Sequence, residues 1–318
     1  MLQFRTAYRF FLLLLTLSLA VQSVVGAEPE ANGSSKTVRL LTIGNSFSQN
    51  ATRFLSELAK AGGHELIHRP IVVGGASLEL HTTKFQKNEQ NAEDPAGRYA
   101  NGLGLKEMLR AERWDVVTIQ QASIKSHDVE TYRPFAAQLA NYVKEHAPQA
   151  RLLVHETWAY RRDDPRFTDP SSKANEPATQ EAMYRGLAAA YRSIAKELGA
   201  KLIPVGDAFQ LADNDPKYGY RVDTTFDFRS AQAPALPNQA HSLHVGWRWQ
   251  SPAKGEPRLA MDGHHANQAG EYLGGCVWYE VLFNESSVGN SAVPTSIDPG
   301  YAAFLQETAH RAVNGLTK

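Results

Sequence analysis

The stretch "LLTIGNSFSQNATRFLSEL", residues 40–58, decides the reading of the fold. Its first half is an apolar run that stops at Gly44-Asn45-Ser46. Its second half places Phe47, Ala51, Phe54, Leu55 and Leu58 on one helical face. A buried strand therefore feeds at once into an amphipathic helix, expected to run to Gly62-Gly63. A serine at such a joint has two uses. It can cap the helix, as Asn45 can. It can also be a nucleophile, helped by free N–H groups that favour nearby negative charge.

Outward from this joint the alternation repeats. Further strands are expected at 65–73, 114–121, 151–157 and 201–206, after a first at 37–44. Helices are expected at 104–112, 132–146, 179–199, near 267–283 and near 299–315, while 81–100 reads as polar and irregular. Strands alternating with amphipathic helices imply an α/β protein whose parallel sheet is covered on both faces. Two segments, 160–177 and 213–261, break the rhythm; insertions of that length in a compact domain are usually functional loops or disordered ones. With no repeat and no clear linker, residues 37–318 read as one domain.

Composition excludes some partners. The 318 residues carry 33 Lys+Arg and 33 Asp+Glu, so no basic field exists to hold a nucleic-acid backbone or an anionic membrane. Residues 1–27 read as an export signal: Arg5 and Arg9, then the apolar "FFLLLLTLSLAV", then small residues up to Ala27. Cleavage there leaves a polar tail at 28–36, no stable membrane span, and a periplasmic or extracellular protein; a retained N-terminal anchor is the other reading. Cys276 is the single cysteine, so no intrachain disulfide forms, and its apolar setting marks a buried structural thiol.

Ligands of an open parallel sheet bind beyond the carboxyl ends of the strands. There stand Gly44-Asn45-Ser46, Gly74-Gly75-Ala76-Ser77, Gln120-Gln121 and His155-Glu156-Thr157-Trp158. A serine nucleophile needs a base, and the base an orienting carboxylate. "MDGHHANQAGEYL" supplies Asp262 and His265 three apart, with His264 as the competing base. A capping Asp with surface histidines is the plainer interpretation of that motif alone.

The combination resembles the SGNH (GDSL-like) hydrolase superfamily over roughly residues 37–285. "IGNSFSQN", "VGGASLELH", "VTIQQAS", "HETWAY" and "DGHHANQAGEYLGGCVWYEVLF" resemble an exported bacterial branch of it. The resemblance implies a flavodoxin-like three-layer sandwich with a five-stranded parallel sheet, and ester hydrolysis with no metal or cofactor. It implies Ser46 as nucleophile, His265 as general base and Asp262 as its partner. It also implies an oxyanion hole from the N–H groups of Ser46 and Gly75, with Gly74 as competitor. The third donor, normally an asparagine amide, falls to Gln121 by position. Asn45 stands where an aspartate is usual.

Four further residues are candidates for lining the substrate: His81, Trp158, Trp247 and Trp249. His64 and His68 read as surface histidines, and Ser48 as a polar contact. The expected activity is that of an exported serine esterase acting on small-molecule or carbohydrate esters, carbohydrate O-acetyl groups among them. A glycan-binding protein that keeps the fold without catalysis, and a lipid or aryl esterase, are the alternatives.

Overall fold

The structure is a computed structural model that describes residues 35–168, 176–251 and 255–315. The export signal and nearly all of the tail lie outside the described residues. The elements run β1 (Thr37–Gly44), α1 (Ser46–Ala51), α2 (Leu55–Ala61), β2 (Glu65–Val72), α3 (Leu78–Gln90), α4 (Leu105–Arg110), β3 (Val116–Ile119) and α5 (Phe135–His146). They continue with β4 (Arg151–His155), α6 (Gln180–Leu198), β5 (Lys201–Ile203), α7 (Val205–Asp213), β6 (His244–Gln250), β7 (Arg258–Ala266), α8 (Gln268–Phe283) and α9 (Pro299–Gly315).

Five strands form one parallel sheet in the order β2-β1-β3-β4-β5. This is the flavodoxin-like order, with a switch point where β1 is flanked by β2 and β3. Leu40, Leu41 and Ile43 of β1 are all buried, as a strand covered on both faces requires. One helix group joins α1, α2 and α8, with α7 and α9 against α8; another joins α3, α4 and α5. The fold is thus an α/β three-layer sandwich.

Three expectations about elements are corrected. The helix after β1 is two helices, broken at 52–54, where the Thr52 hydroxyl donates to the Ser48 carbonyl at 2.8 Å. The segment from 81 is the second half of α3, not irregular chain. Its core positions are taken by His81, Thr82 and Phe85, so it shows no apolar stripe. Helix α7 was hidden in an apolar run read as the end of a strand.

β6 and β7 form a separate antiparallel pair. His244 faces Ala266 and Gly246 faces Asp262, so the β7 side carries a pronounced irregularity between those pairs. Extra residues on one strand bend it and re-aim its side chains. Here the bend folds 262–265 back on itself.

Candidate active site

Ser46 is the first residue of α1, and Asn45 is its cap: the Asn45 Oδ1 accepts from the Phe47 N–H at 2.9 Å. The same side chain reaches across the sheet edge, where its Nδ2 donates to the Ala76 carbonyl at 2.9 Å. Asn45 therefore ties the serine joint to the loop that holds Gly75. Behind it, the Gln120 amide donates to Asn45 Oδ1 at 2.8 Å, and Gln120 Oε1 pairs with His155 Nδ1 at 2.8 Å. These bonds leave Asn45 one orientation. Gly44 is dictated by the same crowding: a β-carbon there would lie 2.7 Å from the Ser48 hydroxyl and 3.0 Å from the Gln120 amide.

The Ser46 hydroxyl lies 2.9 Å from His265 Nε2. His265 Nδ1 lies 3.1 Å from one Asp262 oxygen and 3.2 Å from the other. The His265 backbone N–H also donates to Asp262, at 3.1 Å, which is the contact made by the bend in β7. Burial pushes the Asp262 carboxyl upward. Hydrogen bonds from the His265 ring and backbone, with the neighbouring histidines, outweigh it and hold Asp262 below the usual carboxylate range. Asp262 is thus a carboxylate at neutral pH, able to stabilise an imidazolium. His264 Nδ1 lies 3.3 Å from the same carboxylate. Burial lowers its pKa, Asp262 opposes that, and the charges of His265 and Arg166 add to it.

A cavity of about 220 Å³ opens onto this group, lined among others by Ser46, Gly75, Ser123, Tyr160, Arg166, His264 and His265. Gly75 has φ +65 and open space where a β-carbon would point, so its backbone can approach a ligand.

Other expected site residues are placed elsewhere. Gln121 is fully buried, and its amide donates to the Thr131 carbonyl at 2.8 Å and the Thr131 hydroxyl at 3.3 Å. Its Oε1 accepts from the N–H groups of Leu78 and Ala122. Every arm of this side chain serves the loops, and none serves an oxyanion. His81 is fully buried between Tyr99 and the Gly44 carbonyl, at 2.9 and 3.1 Å. Trp158 is buried between Phe47 and Phe209, with ring centroids 4.5 Å away on each side. Its indole N–H donates to the His264 carbonyl at 2.9 Å, so it holds the histidine-bearing backbone without touching the cavity. Trp247 binds Asp163 and packs on Phe228, and Trp249 donates to the Ala235 carbonyl; neither lines the cavity. His64 is no surface residue: it is buried, stacks on Phe283 and pairs with Glu285 at 2.9 Å.

Ser123, Tyr160 and Arg166 escaped the sequence as lining residues. Ser123 and Tyr160 stand inside the quoted motifs, next to the more conspicuous Gln121 and Trp158. Arg166 lies in the charged, Pro-rich insertion at 160–177, whose length was the only signal.

Among the described residues, Asp262, His264 and His265 are one set able to hold a metal ion, with ligand atoms within 4.8 Å of one another. The same atoms make the Ser46–His265–Asp262 contacts, so a bound cation would compete with that arrangement.

A flavodoxin-like sandwich with Ser46, His265 and Asp262 meeting at the carboxyl edge of its sheet is the arrangement that the sequence resemblance to the SGNH (GDSL-like) hydrolases implies. The chain belongs to the DUF4886 family, a domain of unknown function, whose model matches residues 39–226. A DUF4886 family protein from Bacteroides uniformis is 26% identical, with a TM-score of 0.66 over 89% of this chain and 96% of its own. A candidate GDSL-like lipase from Parabacteroides merdae is 14% identical, with a TM-score of 0.44 over 79% of this chain and 97% of its own. Phospholipase A1 from Streptomyces albidoflavus is 13% identical, with a TM-score of 0.37 over 79% and 98%. No curated protein matches the chain.

Proposed function

We propose that this protein is an exported serine esterase that removes small acyl groups, acetyl above all, from carbohydrate or other small alcohols. The observation that carries the reading is the 2.9 Å contact between Ser46 Oγ and His265 Nε2, with Asp262 on the other ring nitrogen. In the first step Ser46 Oγ bonds to the ester carbonyl carbon while its proton passes to His265 Nε2. The negative oxygen of the tetrahedral intermediate is held by the N–H groups of Ser46 and Gly75. Collapse breaks the bond to the alcohol oxygen, which takes the proton from His265. Water then attacks the acyl-serine, giving its proton to His265, and the carboxylic acid leaves as Ser46 is restored.

The cavity, at about 220 Å³, is below the range typical of sites that enclose drug-sized ligands, which suits an acetyl group better than a fatty acyl chain. Turnover of p-nitrophenyl acetate and of acetylated sugars by purified protein tests the reading. His265→Ala should abolish nearly all turnover. His264→Ala should keep most of it; a dead His264 variant beside an active His265 variant would move the base by one residue. No turnover by the parent protein would favour a binding role. Export is tested by N-terminal sequencing of the protein from cell fractions, with Glu28 expected as the first residue.

A further inference from the structure

The cavity that holds Ser46 and His265 also carries a cation, Arg166. Three arginines lie close together in the insertion after β4. Arg161 is buried and grips Asp163 with two bonds, at 2.7 and 2.9 Å. Arg162 is bound to Gln180 and Asn214, at 2.8 and 2.9 Å. Arg166 differs. Its backbone N–H donates to Asp164, and among the described residues its guanidinium meets the Tyr160 hydroxyl, at 3.4 Å, and lies over the Tyr160 ring, with no carboxylate within ion-pair distance. It is exposed, and among the described residues it is the one permanently charged side chain lining the cavity that holds Ser46 and His265. Beside it the Tyr160 hydroxyl meets the Ser123 hydroxyl at 3.0 Å, and both residues line the same cavity.

We infer that Arg166, with Tyr160 and Ser123 beside it, binds a carboxylate on the alcohol portion of the substrate, so that the preferred substrates are acyl esters of acidic alcohols such as sugar acids. A guanidinium presents a planar fork that matches a carboxylate, and the bonded Tyr160–Ser123 hydroxyl pair keeps one free proton to donate beside it. A neutral ester leaves that fork facing water. The inference rests on the esterase reading for its catalytic part, and on the arginine alone for its binding part.

The test uses a matched pair, 4-acetoxybenzoate and its methyl ester, which differ by one charge on the leaving group. The parent protein should prefer the acid in kcat/KM, relative to the spontaneous reactivity of each. Arg166→Met should reduce that preference by about tenfold or more, the scale of a lost charge-assisted hydrogen bond. Arg166→Lys should restore only part of it. Because Arg166 is exposed, the substitution leaves the core intact. Calorimetric titration with 4-hydroxybenzoate reads the anion site without turnover: binding should be detectable with the parent and weakened about tenfold by Arg166→Met. An unchanged preference in Arg166→Met, or equal binding by both proteins, overturns the inference. Binding lost with Arg166 but no ester hydrolysed by the parent sinks the esterase reading and leaves the anion site standing.

Discussion

Two strand ends of one parallel sheet, carrying similar polar residues, have opposite fates. At the end of β1, Asn45-Ser46 meets a cavity and the Asp262–His265 pair. At the end of β4, His155, Glu156, Thr157 and Trp158 are completely buried. The first end opens into a cavity walled by the bent β7 and by the loops that carry Gly75, Ser123 and Tyr160. The second lies under α7, and its side chains bond to Gln120, to the Asp207 backbone, to Tyr191 and to the His264 carbonyl. Position at the carboxyl edge makes a residue eligible for a site. What packs above the edge decides whether it is one.

The sharpest break in the comparison is Ser46→Ala. It should lower kcat by about 10⁴-fold or more while leaving unfolding by denaturant nearly unchanged, since only an edge hydroxyl is removed. At the other strand end the pattern should invert. Trp158→Ala should cost about 3–5 kcal/mol of stability, measured by urea unfolding, because it empties a fully buried site between two rings.

Acid should attack the sealed regions first. Burial lowers His81 to about 4, His155 to about 3 and His244 to about 4. The unfolded chain binds those protons near pH 6.5, so between about 6.5 and 4 it holds more protons than the folded state. Stability should therefore fall as pH drops through that window, by on the order of 1–3 kcal/mol per histidine. Replacing His155 with Gln should flatten the slope; an unaltered slope would mean that this histidine is not the neutral buried group described.

Gln121 sharpens the comparison because it sits between the two ends. Gln121→Leu should cost about 1–3 kcal/mol by stranding buried N–H and C=O groups. Its kcat should change far less than the roughly hundredfold expected of a lost oxyanion donor. The smallest effect belongs to Glu156. Burial first, and Asp207 second, raise its carboxyl well above the usual range, against the opposing pull of the Arg192 guanidinium. A group raised in the folded state stabilises below its unfolded pKa and loses that contribution as pH climbs. Glu156→Gln should thus be nearly silent at pH 5 and stabilising at pH 9, read as a change in the pH dependence of thermal unfolding.

The sheet was legible because β1, β3 and β4 are apolar runs ended by glycine or polar residues, and β2 and β5, less apolar, each follow a glycine that stops the helix before them. α8 and α9 were legible too, α8 through "EYLGGCVWYEVLF" and α9 through its helical spacing. α3 was not, because His81 and Thr82 occupy core positions that periodicity assigns to apolar residues. In the site, the strand–helix joint and the short Asp-to-His spacing made Ser46, Asp262, His264 and His265 candidates, and the resemblance to the SGNH hydrolases chose Ser46, Asp262 and His265 among them. Gln120 and Gln121 could not be told apart. They are adjacent, both amides, both buried, and only tertiary packing sends one to Asn45 and the other to Thr131. The aromatic candidates failed because a tryptophan serves a core as readily as a ligand.

Ser46 and His265 lie 219 positions apart in the chain. All five strands of the main sheet, and the whole span matched by the family, are complete before Asp262 is reached. A chain folding from its N-terminus therefore carries Ser46 as an inert hydroxyl until its last quarter docks. The contact that would make it reactive has among the longest loops in the molecule to close, and such contacts form late. The Ser46–His265 contact is then a property of the finished molecule alone, and if the proposed esterase activity depends on it, activity on refolding should return after the far-ultraviolet signal of the sheet, not with it.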